Sequence, residues 1–274
     1  MIIVSDVNFN QKKGWATKWS EEEENILIEN YASSTIEEIL QLLPNRSKKA
    51  IYSKAHSLGL KYHNYNKNYF NKIDTPEKAY WIGFLTADGY ITTKYRWGVE
   101  IQIEDIKHLE KLNKALDSNI TIRIREKESF GKINKSCSLV FKNKDMYDDL
   151  VNLGFTHDKS HEAKLSNLIP KEFIMDFIKG IIDGDGSYIN TDKAKFVVLY
   201  SGSLIILEDI QNILKEYNIT SRIYNSNSGT YKLIIKKRED LKIFLDIILS
   251  TESPMLSRKE LKAKKLLSEI GGGY

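Results

Sequence analysis

The stretch WIGFLTADG occupies residues 81–89, and a second stretch with the same pattern, IKGIIDGDG, occupies residues 178–186. Each is an apolar run with a glycine in its middle, and each ends in an acidic residue followed by glycine. A glycine places no side chain in a helix seam, so Gly83 and Gly180 would let two helices approach closely. Each stretch therefore predicts an apolar helix that packs against another helix.

An acidic residue stands at the predicted C-terminal end of each of these helices, Asp88 in the first and Asp185 in the second. The helix dipole disfavours a negative charge at that end, so a carboxylate placed there twice predicts that a cation joins it. Either stretch alone is also compatible with a buried amphipathic helix that ends at a glycine cap. Two copies at domain-like spacing favour a functional site.

Similarity between the two halves of the chain extends beyond these motifs. The matching segments are LEKL at 109–112 with LEDI at 207–210, NIT at 119–121 with NIT at 218–220, and VFK at 140–142 with IIK at 234–236. Self-similarity at a nearly constant offset indicates a repeat architecture. The sequence therefore predicts two equivalent halves, each about the size of a small domain.

The paired motifs resemble the nonapeptide of the LAGLIDADG homing endonucleases. The resemblance places the catalytic acids of that family on Asp88 and Asp185, and its sixth position on Asp183 in the second copy but on Thr86 in the first. It implies an α+β fold in which one chain forms two pseudo-symmetric αββαββα repeats with antiparallel, saddle-shaped sheets. Family members also place a lysine after the last helix of each repeat. Lys159 and Lys259 are the nearest matches, and the resemblance implies that both are catalytic residues close to the metals, with an ordinary surface lysine as the alternative for each.

The expected elements of each half are a helix, two strands, a helix, two strands and a helix. In the first half they span 76–88, 90–95, 98–104, 105–117, 120–127, 137–142 and 144–153. In the second half they span 171–185, 187–191, 195–200, 203–217, 219–225, 230–236 and 238–249.

One strand of each half alternates apolar and polar residues. Arg123, Arg125 and Lys127 alternate with Ile120, Ile122 and Ile124, which predicts that the apolar set faces the helices and the cationic set faces out. The second half has a weaker counterpart in Thr220, Arg222 and Tyr224. A row of exposed basic residues can be a plain solvated face, but beside paired acids we expect these residues to contact DNA: Arg123, Arg125, Lys127, Arg222 and Tyr224.

Residues 1–60 resemble a three-helix Myb/SANT-like helix-turn-helix domain. The pattern consists of WSEEE at 19–23, RSKKAI at 46–51 and LGL at 58–60. Net charge changes from −5 over residues 1–40 to +6 over residues 41–74, because acids dominate the first part and lysines the second. The third helix corresponds to a recognition helix, and we expect it to offer DNA Arg46, Lys48, Lys49, Tyr52 and Lys54. A protein-binding helical module with a solvated basic face is the alternative.

The predicted domain organisation follows from these segments. It consists of a helix-turn-helix domain at 1–60, a basic Asn/Tyr/Lys linker at 61–74, the first repeat at 75–165, the second repeat at 166–255, and a basic C-terminal helix and tail at 256–274. The linker has no helical or strand period, so it could lie along a DNA groove with its lysines at phosphates. The alternative is a plain tether whose tyrosines pack on either domain.

Composition excludes several classes of protein. The chain has 274 residues, a net charge of +4 and one cysteine, Cys137, which cannot form an internal disulfide and so predicts a reducing compartment. For a DNA-binding protein we expect a cytoplasmic location, in association with the nucleoid. No apolar run approaches the ~18 residues that a membrane span needs, and the N-terminal residues do not resemble a signal peptide. We expect a bacterial or phage-encoded monomer that binds double-stranded DNA and no membrane.

The expected function is site-specific hydrolysis of double-stranded DNA. Asp88 and Asp185, brought together, would raise each other's pKa unless a cation neutralised them, and Mg²⁺ suits carboxylate, water and phosphate ligands. Such a metal activates water and stabilises the leaving oxygen of a phosphodiester. The resemblance implies one cut in each strand. Two alternatives are a DNA-binding transcriptional regulator that has lost cleavage and an intron RNA maturase, which alone would make RNA the partner.

Overall fold

The computed structural model describes residues 18–31, 34, 36–60, 65–92, 94–129, 132–155, 163–226 and 229–271. The chain divides into two units, Met1–Tyr62 and His63–Tyr274. Among the helices that these residues form, none combines the length and the apolar character of a membrane span.

The smaller unit has three helices in its described part, namely α1 (Glu21–Asn30), α2 (Ile36–Leu42) and α3 (Lys48–Ser57). Local sequence explains where α1 begins, because the Ser20 hydroxyl accepts from the main chain of Glu23 while the Glu23 carboxylate accepts from the main chain of Ser20. At the start of α3 the Ser47 hydroxyl accepts from the main chain of Ala50. Leu27, Ile39 and Ile51 form the centre of its core.

The larger unit contains two repeats of the predicted order. The first consists of α4 (Pro76–Asp88), β1 (Gly89–Thr92), β2 (Arg96–Gln102), α5 (Ile106–Ala115), β3 (Arg123–Ser129), β4 (Lys132–Lys142) and α6 (Lys144–Asn152). The second consists of α7 (Ile174–Asp185), β5 (Gly186–Asn190), β6 (Lys195–Ser201), α8 (Leu204–Glu216), β7 (Arg222–Ser226), β8 (Thr230–Ile235) and α9 (Arg238–Ser250). The predicted α+β fold of two repeats is confirmed.

Each repeat builds one four-stranded antiparallel sheet, with strand order β1-β2-β4-β3 in the first and β5-β6-β8-β7 in the second. The last glycine of each motif opens a sheet, because Gly89 pairs with Val99 and Gly186 pairs with Leu199. One hydrophobic core extends through both repeats. The two motif helices therefore lead directly into β1 and β5, each of which lies at one edge of its own sheet.

The alternation predicted over 120–127 holds only for the residues before β3, which begins at Arg123 and not at 120. Ile120 is buried and Ile122 is half-buried, as expected for residues that face the helices. Ile124 is 57% exposed, which corrects the expectation that it would face the helices. Ile133 on β4 shares the face of Ile124 by register and is likewise exposed at 64%, so this face of the hairpin is open to solvent at both residues.

The described part of the predicted linker contributes to the core of the larger unit. Tyr65, Tyr69, Phe70 and Ile73 are at most 6% exposed, and the Tyr65 hydroxyl donates to the main-chain oxygen of Lys142 at 3.0 Å. Residues 65–73 thus pack as the second alternative expected, and they do not present their tyrosines to a DNA groove. Residues 61–64 of the predicted linker lie outside the described residues.

The chain closes its described part with α10 (Ser257–Gly271), the predicted basic C-terminal helix. Its buried face, which consists of Lys259, Ala263, Leu266 and Ile270, packs on α9 and β5. The segment before α10 is tied to α7, because the buried ammonium of Lys179 donates to Thr251 Oγ1 and to the oxygen of Ser253, each at 2.9 Å.

Candidate active site and nucleic-acid interface

The two motif helices, α4 and α7, pack against each other along their glycines. A Cβ atom placed on Gly83 would stand 2.0 Å from the main-chain oxygen of Phe177, and one placed on Gly180 would stand 2.1 Å from that of Tyr80. Each of these contacts involves backbone, which cannot move aside as a flexible side chain can. The seam therefore requires glycine at both positions, and the close approach expected from the sequence is present.

The seam ends at the two motif acids. A Cβ atom placed on Gly184 would stand 2.3 Å from Cβ of Ala87 and 3.3 Å from Oδ2 of Asp88. Because Asp185 follows Gly184, the C-terminal ends of α4 and α7 bring both acids to the same end of the seam. Asp88 is half-buried and Asp185 is exposed, so their surroundings differ.

Lys259 lies against this end of α7. Its side chain is buried, and its ammonium group donates to the main-chain oxygens of Ile182, Asp183 and Gly184. Burial lowers the pKa of Lys259 to about 8, although the Asp183 carboxylate favours the charged form. The ammonium places a positive charge where the helix dipole is negative. Lys159, the other predicted lysine, lies outside the described residues.

Asp183, at the sixth motif position, is buried in the seam. Its Oδ2 atom accepts from the Tyr80 hydroxyl at 2.7 Å and from the main-chain N–H of Leu256 at 2.5 Å. Burial raises the pKa of Asp183 to about 6, although both hydrogen bonds and the nearby Lys259 stabilise the charged form. A carboxylate without access to solvent is placed to hold the helices together and not to meet a substrate.

A cavity lies beside each motif acid, and the two cavities differ in chemistry. The first is lined by Asp88, Glu100, Gln102, Asp105 and Arg258, together with apolar residues and Gly184. The second is lined by Asp185, Thr86, Tyr200 and Ser201, together with small and apolar residues. Glu100 and Tyr200 are equivalent by strand register, because each follows the residue that pairs with a motif glycine. The repeats therefore offer unequal surroundings to the two acids.

A divalent cation at this end of the seam would need ligands from outside the protein in addition to the two motif acids. In the part of the chain that the structure describes, no three or more His, Cys, Asp or Glu side chains gather closely enough to hold a metal ion. Asp88 and Asp185 can supply two carboxylates, and a hard cation such as Mg²⁺ takes its remaining ligands from water and from phosphate oxygens. The donor set is therefore compatible with a cation that a phosphodiester helps to bind.

The open face of the first sheet carries the predicted cationic row. Strand register places Arg123 and Arg125 opposite Ser138 and Ser136, and Lys127 continues along the same face. Glu100 on β2 enters this row, because its Oε1 accepts from Ser136 Oγ at 2.6 Å and its Oε2 lies 3.7 Å from Nη1 of Arg125. The face is thus cationic with one acid near the seam.

The second sheet presents a more aromatic face. Tyr224 pairs in register with Lys232, which also pairs with Tyr200 on β6. The Lys232 ammonium lies 5.9 Å from the centroid of the Tyr224 ring, and both tyrosines are over 40% exposed. Arg222 lies exposed on the same face. The predicted residues Arg222 and Tyr224 therefore share a surface, and its chemistry differs from that of the first sheet.

Arg46 makes its contacts within the three-helix unit. Its guanidinium donates to both carboxylate oxygens of Glu23, at 2.8 and 2.6 Å, and to the main-chain oxygen of Lys18 at 3.0 Å. It also lies 4.6 Å from the centroid of the Trp19 ring. These hydrogen bonds hold the pKa of Glu23 down at about 2. With a side chain only 9% exposed, Arg46 connects the start of α1 to the start of α3.

The other predicted residues of α3 fall into two groups. Lys54 is 19% exposed and its ammonium lies 2.6 Å from the carboxylate of Glu24. Lys48, Lys49 and Tyr52 are exposed on one side of the helix. Arg46 and Lys54 thus make ion pairs within the unit, and DNA contacts by Lys48, Lys49 and Tyr52 stay a prediction.

Comparisons with known proteins agree with this architecture. The LAGLIDADG-like domain family matches residues 172–249, and the WhiA LAGLIDADG-like domain family matches residues 77–160. Both matches lie within the larger unit, one in each repeat. Together with the two antiparallel four-stranded sheets, they define a protein with two repeats of the LAGLIDADG fold.

Among the proteins similar to this chain are one solved structure and two proteins of known sequence. The homing endonuclease I-WcaI, bound to its DNA recognition sequence, has a similar structure, with a TM-score of 0.53 over 71% of this chain and 91% of that chain at 16% identity. Two proteins of Methanocaldococcus jannaschii are similar in sequence. Identity is 28% over 183 residues with probable translation initiation factor IF-2, and 26% over 192 residues with DNA-directed RNA polymerase subunit Rpo1C. The chain spans only 14% and 21% of the length of these two relatives.

Sequence reasoning did not identify Tyr80 or His108, whose contacts reach into the seam. The Tyr80 hydroxyl lies 2.8 Å from Nε2 of His108, and both side chains are buried. A signal was present, because Tyr80 stands immediately before the first motif and Phe177 stands immediately before the second. That difference complements the one between Thr86 and Asp183.

Proposed function

We propose that this protein is a site-specific endonuclease that cuts both strands of a DNA duplex, with Asp88 and Asp185 as its catalytic acids. The observation that carries the proposal is the close approach of the two motif ends, where a Cβ atom placed on Gly184 of one helix would stand 2.3 Å from Cβ of Ala87 and 3.3 Å from Oδ2 of Asp88 on the other. Two carboxylates in one place, with exposed basic and aromatic residues on both adjoining sheets, suit a reaction on an anionic duplex.

Asp88 and Asp185 would hold Mg²⁺ together with the phosphodiester. When bound, the metal supplies charge neutralisation and lowers the pKa of its water. The residues of the chain do the rest. Lys259 would offset negative charge at the C-terminal end of α7. Its ammonium group already donates to three carbonyl oxygens, so we assign it an electrostatic role and not a contact with the substrate.

Recognition of the duplex would use the open faces of the two sheets. Arg123, Arg125 and Lys127 lie on one face of β3, and Arg222 and Tyr224 on one face of β7. Arginine can read guanine through two hydrogen bonds, whereas the aromatic surface offers stacking and apolar contacts. In the three-helix unit, Lys48, Lys49 and Tyr52 would add contacts to phosphates. Arg46 and Lys54 would support that surface from within.

A DNA-binding protein of this fold that does not cleave is the second candidate. The specific observation that favours it is the inequality of the repeats. The first repeat has Thr86 where the second has Asp183, and the family matched by the first repeat is of the WhiA type.

Selection from a randomised duplex library distinguishes the two candidates. The full chain is incubated with the library in Mg²⁺, in Mn²⁺ and in EDTA, and both the bound and the cut molecules are sequenced. The endonuclease proposal predicts metal-dependent ends at a defined position within the bound sequences. Bound sequences that stay intact with either metal would support the second candidate, and an absence of selective binding would contradict both.

A further inference from the structure

Three pairs of positions are equivalent between the two repeats but differ in chemistry. In each pair one residue is polar and joins a shared set of hydrogen bonds, and the other is apolar or bonds only within its own helix. Tyr80 and Phe177 each stand three residues before a seam glycine, and Asp183 and Thr86 each stand three residues after one. His108 and Ile206 are equivalent because the segments that follow them align. The polar set is therefore Tyr80, His108 and Asp183, and the second set is Phe177, Ile206 and Thr86.

The polar set forms one hydrogen-bonded chain. The Tyr80 hydroxyl donates to Oδ2 of Asp183 at 2.7 Å and lies 2.8 Å from Nε2 of His108. A tyrosine has one hydroxyl proton, which the carboxylate accepts, so His108 must donate from Nε2. Burial lowers the pKa of His108 to about 3, which keeps the ring neutral. All three side chains are at most 3% exposed.

The second set makes no such connection between the repeats. The Thr86 hydroxyl donates to the oxygen of Ile82 in its own helix at 2.8 Å, and Phe177 and Ile206 are buried apolar residues. The polar chain, by contrast, runs from α5 and α4 of the first repeat to α7 of the second. The main-chain N–H of Leu256 completes the hydrogen bonds to Oδ2 of Asp183.

We propose that Tyr80, His108 and Asp183 are positioning residues that fix the register of α4 on α7, and through it the meeting of Asp88 and Asp185. Glycines let the helices approach but leave a smooth seam, whereas hydrogen bonds are directional. Sliding α7 along α4 would strand a buried carboxylate, which is strongly unfavourable. Pairing of two copies of the second repeat is disfavoured for the same reason, because Asp183 would then face Phe177 in place of Tyr80. This inference rests on the proposed function for its consequence at the two acids.

Amide hydrogen exchange of the full chain tests the register directly. The variants are Tyr80→Phe and Tyr80→Phe with Asp183→Thr, which copies the Phe177 and Thr86 arrangement. Tyr188→Phe is the matched control, since Tyr188 is also buried and its hydroxyl has no hydrogen-bond partner among the described residues. Binding of Mn²⁺ is measured on the same proteins from the loss of the electron paramagnetic resonance signal of free Mn²⁺.

We expect Tyr80→Phe to raise exchange in peptides covering 81–88 and 178–185 on the order of tenfold, because a buried carboxylate loses a donor. The double variant should regain thermal stability, since the carboxylate is gone, while exchange at both helix ends stays fast and Mn²⁺ binds more weakly. Tyr188→Phe should behave as the parent protein does.

Two results would overturn the inference. One is exchange in Tyr80→Phe that equals exchange in Tyr188→Phe. The other is a double variant with the exchange pattern of the parent, since the glycines alone would then set the register. A parent protein that binds no Mn²⁺ would count against the proposed function, and the exchange pattern would still decide the present inference.

Discussion

The ammonium nitrogen of Lys259 lies 3.0 Å from the main-chain oxygen of Gly184, the glycine that packs against Ala87 across the seam, next to Asp88. The same nitrogen also donates to the oxygens of Ile182 and Asp183. One buried cation thus lies at the C-terminal end of α7, where it interacts electrostatically with both Asp88 and Asp185.

Lys259→Met should weaken cleavage more than it weakens DNA binding. The change keeps the unbranched shape and most of the length of the side chain. It removes the charge and leaves three carbonyls without a donor, so unfolding free energy should fall by about 1–3 kcal/mol. Cleavage rate and DNA affinity are compared at a temperature where both proteins are folded. Lys179→Met is the control, because Lys179 is equally buried but donates to Thr251 and Ser253. Equal cleavage by the two variants would reduce Lys259 to a purely structural role.

Arg123→Ala should relax base preference on one side of the cut only. Arg123 lies on the open face of β3, and its loss should cost on the order of 1–3 kcal/mol at one or two positions. Sequencing of library members selected by the variant measures this. Lys135→Ala is the control, because Lys135 lies on the opposite face of the hairpin and pairs with Glu126 at 2.6 Å. A uniform loss over both half-sites would mean that the repeats do not divide the target.

Replacing Lys48 and Lys49 together by alanine should flatten the salt dependence of DNA binding. Each lost phosphate contact lowers the slope of log affinity against log salt by about 0.9. Titrations at several salt concentrations give the slope. Lys54→Ala should change it less, because the Lys54 ammonium is paired with Glu24 and only 19% exposed. An unchanged slope in the double variant would favour the protein-binding alternative for this unit.

The three-helix unit should lose stability in acid through Glu23. Arg46 holds the pKa of Glu23 at about 2 in the folded chain, below the value of about 4.3 expected when it is unfolded. A carboxyl group with a lowered pKa stabilises the fold above its unfolded pKa, and this contribution disappears as pH falls through that window. Amide exchange in α1 and α3 between pH 6 and pH 3 measures it. Glu23→Gln should show a smaller pH dependence, and an equal one would show that the pair does not carry it.

Much of the fold could be predicted from the sequence because its signals are local. Helix α4 was predicted at 76–88 and spans Pro76–Asp88, since Pro76 opens it and the chain turns into β1 at Gly89. Strand β4 begins at Lys132 and not at 137, because pairing with β3 extends a hairpin beyond the apolar residues that the sequence pattern follows.

The contacts of the site were harder to predict, because they join residues far apart in the chain. Nothing near Asp183 indicates that it meets Tyr80 and Leu256, and nothing near Arg46 indicates that it pairs with Glu23. Residues 65–73 carry no period, yet their aromatic side chains fill the core of the larger unit. A shortened protein that lacks the three-helix unit should therefore begin at His63, so that it keeps the aromatic residues of 65–73.

Strand-resolved cleavage by Asp88→Asn and Asp185→Asn tests the central claim most directly. Each variant is incubated in Mg²⁺ with a selected duplex labelled on both strands, and binding is measured in parallel. Asparagine keeps the size of aspartate but removes the charge that a divalent cation requires. The account predicts that each variant binds the duplex as the parent does and makes no double-strand break. A variant of either kind that cuts both strands at the parent rate would contradict it.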